Sequence, residues 1–453
     1  MPFPTGAEPG DGSAPGGLRP PHRGPSVLSL AAPALVVLAA EPLYLLVDTA
    51  VVGNLGTVPL GGLAVGGALL VWAASLLNFL AYGTTARAAR RAGAGDRPGA
   101  VAEGVQATWL ALALGLAVLL FFQLLAGPLT RLLAGGAGPV AEAGEQWLRV
   151  ASLGAPLLLV SLAGNGWLRG VQELRRPVRY VVAGSLLSVV LCPLLVYPAG
   201  LGLVGSAIAN VCGQALTAAM FVRALLREQT SWRPRAAAIV AQLVIGRDLL
   251  VRAAVLQVSF LVAAGVAARA GTAELGAHQI AIQLFFFLAL VLDAYAIAAQ
   301  TLVGNALGGE RPAEARATAR RVAAWGLGTG LVVAVLLIAL RPVLVPLFTD
   351  DPAVVAQAEL VWWFLAAMQP LAGLVFALDG VLMGASDVGY LRTVTIGSAL
   401  LGFLPLSLLA GPLGWGLAGV WTGLCLFIAL RLVAVLVRVA GDRWLGAPVS
   451  VAP

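Results

Sequence analysis

The chain has 453 residues, of which 60% are hydrophobic and 11% are charged, whereas soluble domains average roughly half apolar and about a quarter charged residues. This composition excludes a water-soluble protein, because so few polar side chains cannot cover a core of this size, and it predicts an integral membrane protein. The net charge of +7 comes from arginines in short clusters between apolar runs. That arrangement is typical of membrane topology, so we expect the lipid bilayer as a partner and no nucleic acid.

Twelve apolar runs along the chain are long enough to cross a bilayer, which takes about 20 residues. In chain order they are 27–53, 60–92, 101–126, 143–170, 178–197, 202–227, 247–270, 273–308, 313–342, 353–383, 389–410 and 413–438. They predict an all-α integral membrane fold with twelve transmembrane helices. The Gly- and Pro-rich stretch 1–26 carries no long apolar region, so we expect a disordered cytoplasmic tail there and not a cleaved signal peptide.

Arginines are concentrated in every second loop between these runs. The rich loops lie around 87–97, 175–179, 227–235 and 311–321, while the alternate loops hold little beyond Arg131, Arg149, Arg269 and Arg341. Arginine-rich loops stay in the cytoplasm. We therefore expect both termini there, in a multi-pass protein of the bacterial cytoplasmic (inner) membrane.

An internal repeat divides the chain into two halves. The Gly-acidic-Arg-Pro motif at 95–98 recurs at 309–312, Gly166 and Gly170 recur as Gly380 and Gly384, and the glycines at 200, 202 and 205 recur at 414, 416 and 419. Six helices return the chain to the same side, so the halves should be parallel repeats with a cleft between them. We predict two pseudo-symmetric six-helix bundles, with an N-lobe at 27–226, a cytoplasmic linker at 227–246, a C-lobe at 247–440 and a cytoplasmic tail at 441–453.

The first run contains three polar side chains that share one helix face. Glu41, Tyr44 and Asp48 are spaced by three and four residues. Charge inside a bilayer costs at least about 2.5–3.5 kcal/mol per residue and marks functional positions. Burial and a neighbouring like charge both favour the neutral carboxyl, so Asp48 and Glu41 are predicted to carry a coupling proton or cation. Pro42 offers a hinge; the alternative for Glu41 is that it lies near a water-filled cavity and only tunes packing.

Other polar residues inside the apolar runs are candidates for lining a substrate cavity or the face between the lobes. With Tyr44, they are Asn165, Ser185, Ser188 and Asn210 in the N-lobe and Gln283, Asp293, Gln300 and Asp379 in the C-lobe. Asp293 and Gln300 are seven residues apart and so share a helix face. Ser185 and Ser188, taken singly, are explained more simply as hydrogen-bonding partners that hold neighbouring helices together.

The sequence contains no motif for catalysis, metal binding or nucleotide binding. Neither His22 nor His278 has a Ser or Cys partner in a recognisable motif, and the three cysteines form no CxxC or Cys/His cluster. A Walker A sequence is also absent. We therefore expect neither an enzyme nor an ATP-driven pump, and no cofactor, but a transporter driven by an H⁺ or Na⁺ gradient.

Several stretches resemble the MATE (multidrug and toxic compound extrusion) transporter family, in particular its DinF-like branch. They are 47–56 (VDTAVVGNLG), 60–66 (LGGLAVG), 168–172 (LRGVQ), 292–294 (LDA) with 299–300 (AQ), and 379–380 (DG) with 384–387 (GASD). The resemblance covers roughly residues 27–440. It implies a MATE-type fold whose N-lobe and C-lobe alternate between outward-open and inward-open states.

The resemblance also implies an activity. It implies export of small amphipathic, often cationic, organic compounds in exchange for H⁺ or Na⁺. The first-helix aspartate of the family maps onto Asp48 and the acidic position of its tenth helix onto Asp379. We expect a secondary active multidrug antiporter that works as a monomer.

One departure from the family pattern bears on the coupling ion. Many DinF-like sequences carry Asn-x-x-Asn-x-x-x-Asp on the fifth helix, and the corresponding positions here are Ser185, Ser188 and Cys192. A Na⁺ site needs several hard oxygen ligands, of which this replacement removes three. We favour H⁺ coupling, with Glu41 as the second carboxylate, and keep a Na⁺-coupled exporter of the same family as the alternative.

Other functions fit the sequence less well. A lipid-linked precursor flippase of the related superfamily would carry extra helices and cationic residues that face the cavity, whereas the arginines here concentrate at the cytoplasmic helix ends. A membrane scaffold or enzyme subunit leaves the buried carboxylates unexplained. A major-facilitator transporter would show a basic Gly-x-x-x-Asp loop, and the loop at 93–98 reads GAGDRP. The repeat is also asymmetric, since Ala263 takes the place of Asp48 in the second half.

Overall fold

The computed structural model describes residues 26–228 and 231–446, and every regular element in these ranges is helical. Twelve of the helices are long and apolar enough to cross a membrane, which confirms the predicted fold class. Residues 1–25 and 447–453 lie outside the described residues. The predicted tail at 1–26, apart from Ser26, therefore has no structural counterpart here.

The N-lobe contains six membrane-spanning helices. Their bounds are α1 Val27–Gly53, α2 Thr57–Gly93, α3 Arg97–Leu133, α4 Pro139–Gly170, α5 Arg175–Val196 and α6 Gly202–Leu226.

The C-lobe repeats the arrangement. Its helices are α7 Ala236–Ala270, α8 Thr272–Gly308, α9 Pro312–Phe348, α10 Pro352–Gly384, α11 Val388–Ala410 and α12 Gly416–Ala440.

The helix ends show the internal repeat directly. α6 and α12 begin and end at positions 214 residues apart. The rare positive φ angles recur at the same offset, at Gln172 and Ser386 and at Gly200 and Gly414. Equivalent turns therefore join equivalent helices, which is what two copies of one folding unit require.

Three of the spans are not uniform α-helices. α2 is interrupted at Asn78, between Thr57–Leu77 and Phe79–Gly93. A 3₁₀ turn at Ser152–Gly154 divides α4, and a π-helical segment at Ala399–Phe403 lies within α11. Such irregularities bend a helix and change the direction of the side chains that follow. The run predicted at 60–92 is therefore two helical segments that meet at a polar residue.

The linker between the lobes is shorter than predicted. α7 begins at Ala236, so residues 236–246 of the expected linker 227–246 are helical, as alanine-rich sequence favours. An extended segment before it is held against α3. The side-chain amide of Gln106 donates to the carbonyl of Arg233 at 3.0 Å and accepts from the backbone N–H of Arg235 at 2.7 Å. Trp109 donates to the carbonyl of Trp232 at 2.8 Å.

The beginning of the predicted C-terminal tail is packed against the protein. Trp444 is fully buried in the core and donates to the carbonyl of Val439 at 3.1 Å. Residues 441–446 are therefore part of the C-lobe, because burying a tryptophan removes a large apolar surface from water. The sequence did not show this, since a single aromatic after the last apolar run has no helical pattern.

Large apolar side chains cover the outside of the bundle. Leu46, Leu261 and Leu401 are 67%, 74% and 77% exposed. A soluble protein would bury such residues, whereas in a bilayer the hydrocarbon is their solvent. The exposed surface therefore agrees with the membrane assignment.

The two lobes pack together at the end that carries the loops 93–97, 170–175, 308–312 and 384–388, which we call the arginine-rich end. A shared core combines residues of both lobes, among them Ala34 on α1 and Val303 on α8. Gly93 lies so close to the backbone of Asn305 that a Cβ there would collide with its carbonyl oxygen. Arg90 on α2 also donates to the carbonyl of Ala385. The described contacts thus close the cleft between the lobes at this end.

Candidate transport site

A cavity of about 160 Å³ lies inside the N-lobe between α1, α4, α5 and α6, and we call it the N-lobe cavity. Six of the predicted site residues line it, together with Gln214, Thr217 and apolar side chains such as Val37 and Leu162. The six are Glu41, Tyr44, Asn165, Ser185, Ser188 and Asn210. The structure thus brings together residues that the sequence spreads over 170 positions, because four helices of one bundle surround one space.

Asp48 lies next to this cavity but is not part of its lining. Its side chain is fully buried. The thiol of Cys192 donates to Oδ1 of Asp48 at 3.2 Å, and Ser206 lies beside the carboxyl. Oδ2 has no hydrogen-bond partner among the described residues. A buried carboxyl with an unused oxygen is a costly arrangement in a membrane protein, which keeps Asp48 a candidate for a functional position.

Glu41 lines the N-lobe cavity and is exposed to it. It shares the helix face of Asp48 as the spacing predicted, but seven residues of helix separate the two by about 10 Å along α1. Cys192 and Ser206, and not Glu41, are the described groups beside the carboxyl of Asp48. The hypothesis of a direct carboxylate pair therefore finds no support in this geometry.

The polar groups around the cavity differ in whether they have hydrogen-bond partners. Ser188 donates to the carbonyl of Ala209 at 3.1 Å, and Gln214 donates to the side chain of Asn210 at 2.6 Å. Buried oxygens of Tyr44 and Asn165 have no partner in the described structure. Ser188 therefore joins two helices, while Tyr44 and Asn165 keep hydrogen-bonding capacity that a bound molecule can use.

A second cavity, of about 170 Å³, lies between the lobes and is bordered by α2, α7, α8 and α10; we call it the inter-lobe cavity. Asp293 and Asp379 line it. The hydroxyl of Tyr82 donates to Asp293 at 2.7 Å, and Gln300 donates to the backbone carbonyl of Tyr82 at 2.6 Å. These bonds join α2 of the N-lobe to α8 of the C-lobe. Three of the predicted C-lobe residues, Asp293, Gln300 and Asp379, thus belong to a site separate from the N-lobe cavity.

Asp379 is paired with two arginines that the sequence reasoning did not select. Arg252 on α7 and Arg431 on α12 both donate to its Oδ2. Arg169 on α4 is buried close to Asp293 and Tyr82. The expectation that arginines concentrate at the helix ends, which was used against a flippase, is therefore incomplete. Arg252 and Arg431 lie well inside apolar runs, so the criterion that selected Asp48 could have found them, whereas Arg169 is the penultimate residue of α4.

Two further predicted residues, Gln283 and Pro42, are not among the lining residues of either cavity. Gln283 is exposed on α8 and lines neither cavity. Pro42 lies inside α1, which is helical from Val27 to Gly53 with a second proline at Pro33. The proposed hinge therefore lies in a continuous helix. At this position one backbone hydrogen bond is missing, because proline has no N–H.

Comparison with known proteins defines the class of this two-lobed membrane protein. The family model MatE matches residues 33–194 and 249–408, which is one match in each lobe. The chain belongs to the MATE family of transporters and is not an enzyme.

Individual relatives agree with this assignment. The chain is 34% identical to Protein DETOXIFICATION 44, chloroplastic, of Arabidopsis thaliana, over 91% of this chain and 81% of the relative. It is 30% identical to DNA damage-inducible protein F of Escherichia coli (strain K12), over 89% of each. A crystal structure of a MATE transporter in the bent conformation superposes with a TM-score of 0.84 at 22% identity, covering 91% of this chain and 95% of the other. This last likeness shows the fold.

Proposed function

We propose that this transporter is a proton-coupled antiporter that exports small amphipathic cations, and that Asp48 carries the proton. The observation that supports this proposal best is the fully buried carboxyl of Asp48 behind the N-lobe cavity, with one oxygen unpartnered in the described structure. Proton uptake removes the cost of a buried charge, and proton release restores it. A carboxyl in this position can therefore bias the lobe between two shapes.

The groups around Asp48 favour H⁺ over Na⁺. Its described neighbours are the thiol of Cys192 and the hydroxyls of Ser206 and Tyr44, none of which is a carboxylate or a carbonyl. Na⁺ prefers several hard oxygen ligands such as carboxylates and carbonyls, and a thiol is a soft group that contributes little to such a site. A Na⁺-coupled exporter is the second candidate, and the experiment below separates the two.

The cationic character of the substrate is supported by the N-lobe cavity. Glu41 supplies a negative charge, and Asn165 and Tyr44 offer unpartnered oxygens, while no basic side chain is among the lining residues. The remaining walls include apolar side chains such as Leu45 and Leu158. This combination suits a molecule with one cationic and one apolar part.

The transport cycle that we propose uses the two lobes as alternating gates. If the arginine-rich end faces the cytoplasm of a bacterial cell, as the positive-inside rule favours, the lobe contacts there correspond to an outward-open state. Protonation of Asp48 from outside would then bend α1 at Pro42, narrow the N-lobe cavity and expel the substrate. Release of the proton to the cytoplasm resets the cycle, and exchange is coupled because proton and substrate differ in affinity for the two states. A single chain contains both gates, which agrees with a monomer as the working unit.

The test is transport of a cationic dye by the purified chain in liposomes, under an imposed H⁺ gradient or an imposed Na⁺ gradient. We expect the H⁺ gradient alone to drive dye transport and Asp48→Asn to abolish it. Glu142→Gln is the matched control, because Glu142 is an exposed acid in the first turn of Pro139–Ala151 and lies outside both cavities. Transport that persists without any gradient would exclude antiport, and transport driven only by Na⁺ would favour the second candidate.

A further inference from the structure

The inter-lobe cavity contains an arginine in the middle of a membrane helix. Arg252 lies 16 residues after the start of α7 and 18 residues before its end. Its side chain is 15% exposed and lines the inter-lobe cavity. An arginine at such a position is expensive even on insertion scales, at about 2.5–3.5 kcal/mol, and such residues usually face a pathway for an ion or a substrate.

The charges around this cavity do not balance. Three arginines, of which Arg169 and Arg431 are buried and Arg252 is partly exposed, surround two aspartates, Asp293 and Asp379. With all five groups charged, one positive charge is in excess. A buried ion pair is tolerated when each charge has a partner, and an uncompensated one is strongly destabilising. A bound anion would supply the missing negative charge.

The hydrogen bonding of the cluster leaves some donor and acceptor atoms unused. Arg252 and Arg431 both donate to the same oxygen of Asp379, Oδ2. The Nε of Arg252 is buried and has no partner in the described part of the chain. Arginine presents a planar set of donors that fits a carboxylate through two parallel hydrogen bonds. The two guanidinium groups share Oδ2 of Asp379, and its buried Oδ1 has no described partner, so neither the arginines nor the aspartate use this capacity in full.

The rest of the cavity wall is suited to an aromatic or aliphatic group attached to the anion. Phe79, Leu249, Leu256 and Phe376 line it. Asn78, at the break of α2, adds a polar group on the N-lobe side. A cavity with apolar walls and a few placed donors is typical of a small-molecule site.

We propose that the inter-lobe cavity is a subsite for the carboxylate group of the exported compound, with Arg252 as the group that binds it. The substrates are then amphoteric compounds, which carry a carboxylate in addition to the cationic group that the N-lobe cavity attracts. This inference rests on the proposed export function for its transport role. The binding of a carboxylate at Arg252 does not depend on which ion drives transport.

A pair of dyes that differ only in the carboxylate tests this subsite. A rhodamine with a free carboxylate and its ethyl ester have the same cationic ring system and nearly the same size. Binding of each to the purified full-length chain in detergent is measured by fluorescence anisotropy at neutral pH, without any gradient. We expect the wild-type chain to bind the free acid about tenfold more tightly than the ester, which corresponds to about 1.4 kcal/mol.

Two substitutions should change this preference in opposite directions. Arg252→Gln removes the charged donor, so the ratio of the two dissociation constants should fall to about one. Asp379→Asn removes the carboxylate that competes for Arg252, so the free acid should gain affinity relative to the ester. Arg247→Gln is the control and should keep the wild-type ratio, because Arg247 is 64% exposed and outside the cavity lining.

The outcomes are distinct. Equal affinity of the wild-type chain for acid and ester would overturn the proposal, and so would an unchanged ratio in Arg252→Gln. If Arg252→Gln does not fold, Asp379→Asn serves as the test. A preference for the free acid over the ester that is unchanged or weaker in this variant would contradict the subsite. The liposome assay separates this proposal from the export function. Proton-driven transport of the ester, without a preference for the free acid, would contradict only the carboxylate subsite. Tighter binding of the free acid without gradient-driven transport would contradict only the proposed antiport.

Discussion

Cys192 on α5 donates a hydrogen bond from its thiol to Oδ1 of Asp48 on α1, across 3.2 Å in the N-lobe. Both side chains are fully buried, and the second oxygen of Asp48 has no described partner. The proposed proton carrier is therefore positioned by a weak donor on a neighbouring helix. This contact links the coupling group to α5, whose other residues line the N-lobe cavity.

Removing the thiol should weaken coupling. In Cys192→Ala the ionised Asp48 loses the hydrogen bond from the thiol, and a hydrogen bond to a charged group contributes about 1.5–3 kcal/mol. We expect proton-driven dye transport to fall about tenfold. Cys192→Ser keeps a donor and should retain most of the activity, and Cys212→Ala, which changes a half-buried cysteine of the same lobe, should have the wild-type rate. Equal rates in the alanine and serine variants at position 192 would contradict a role for the hydrogen bond.

Glu41 should affect substrate affinity more than coupling. It is exposed to the N-lobe cavity, and no ion pair is described for it. Because we expect the interaction of Glu41 with a bound cation to contribute about 0.2–1 kcal/mol, Glu41→Gln should weaken binding of a cationic dye about two- to fivefold. Dye-driven proton release should persist. Abolition of proton release at saturating dye would instead assign Glu41 to the coupling site.

Pro42 should affect the rate of the conformational change. Replacing it with alanine restores a backbone hydrogen bond within α1. The helix then becomes stiffer between its N-terminal half and Tyr44. We expect Pro42→Ala to lower the maximal transport rate about fivefold, with little change in dye affinity. The control is Pro33→Ala, which alters the other internal proline of the same helix. Equal effects of the two substitutions would argue against a hinge at position 42.

Closure of the arginine-rich end should depend on a close approach between the lobes. A Cβ on Gly93 would collide with the carbonyl oxygen of Asn305, whereas Gly67 has open space around it. Gly93→Ala should therefore separate the lobes at this end, and Gly67→Ala should not.

Spin labels can measure this separation. Cysteines at Arg175 and Glu314 would place labels at exposed positions on the two lobes, in a background with the three native cysteines replaced by serine. Gly93→Ala should shift the distance distribution to larger values, by several ångströms. An unchanged distribution would show that neighbouring backbone moves aside without opening the cleft.

The ion pair of Arg87 and Glu103 should contribute strongly to stability. Two hydrogen bonds of 2.6 and 2.9 Å join the side chains, which are 5% and 7% exposed. Removing one partner leaves a buried charge, which costs about 3–5 kcal/mol. Glu103→Gln should therefore lower the thermal unfolding midpoint of the protein in detergent.

The matching control is Glu145→Gln. Glu145 pairs with Arg149 one helical turn away, with side chains 24% and 47% exposed. Such pairs contribute at most about 1 kcal/mol, so the midpoint should change little. Equal shifts of the midpoint in the two variants would contradict the larger contribution to stability that we predict for the buried pair.

Much of the fold could be predicted because membrane helices are specified by local composition. Hydrocarbon forces every backbone group into an internal hydrogen bond, so each long apolar run has to be a helix. The helix boundaries were less predictable. Asn78 interrupts the second apolar run. Residues 236–246 extend α7 on the N-terminal side of its apolar run, and Trp444 is buried after the last helix. Contacts with other helices determine these features, and composition does not record such contacts.

The sequence by itself determined the membrane class, the twelve helices and the repeated halves, and it predicted an acid inside the membrane at position 48. These follow from hydropathy, from a constant offset between motifs and from the cost of charge in hydrocarbon. Only the tertiary structure decided which polar residues meet. It separated Glu41 from Asp48, placed Cys192 against Asp48, and assembled Arg252, Asp379 and Arg431 from three helices. A charge that is costly on one helix becomes tolerable only beside partners on others, and those partners are distant in sequence.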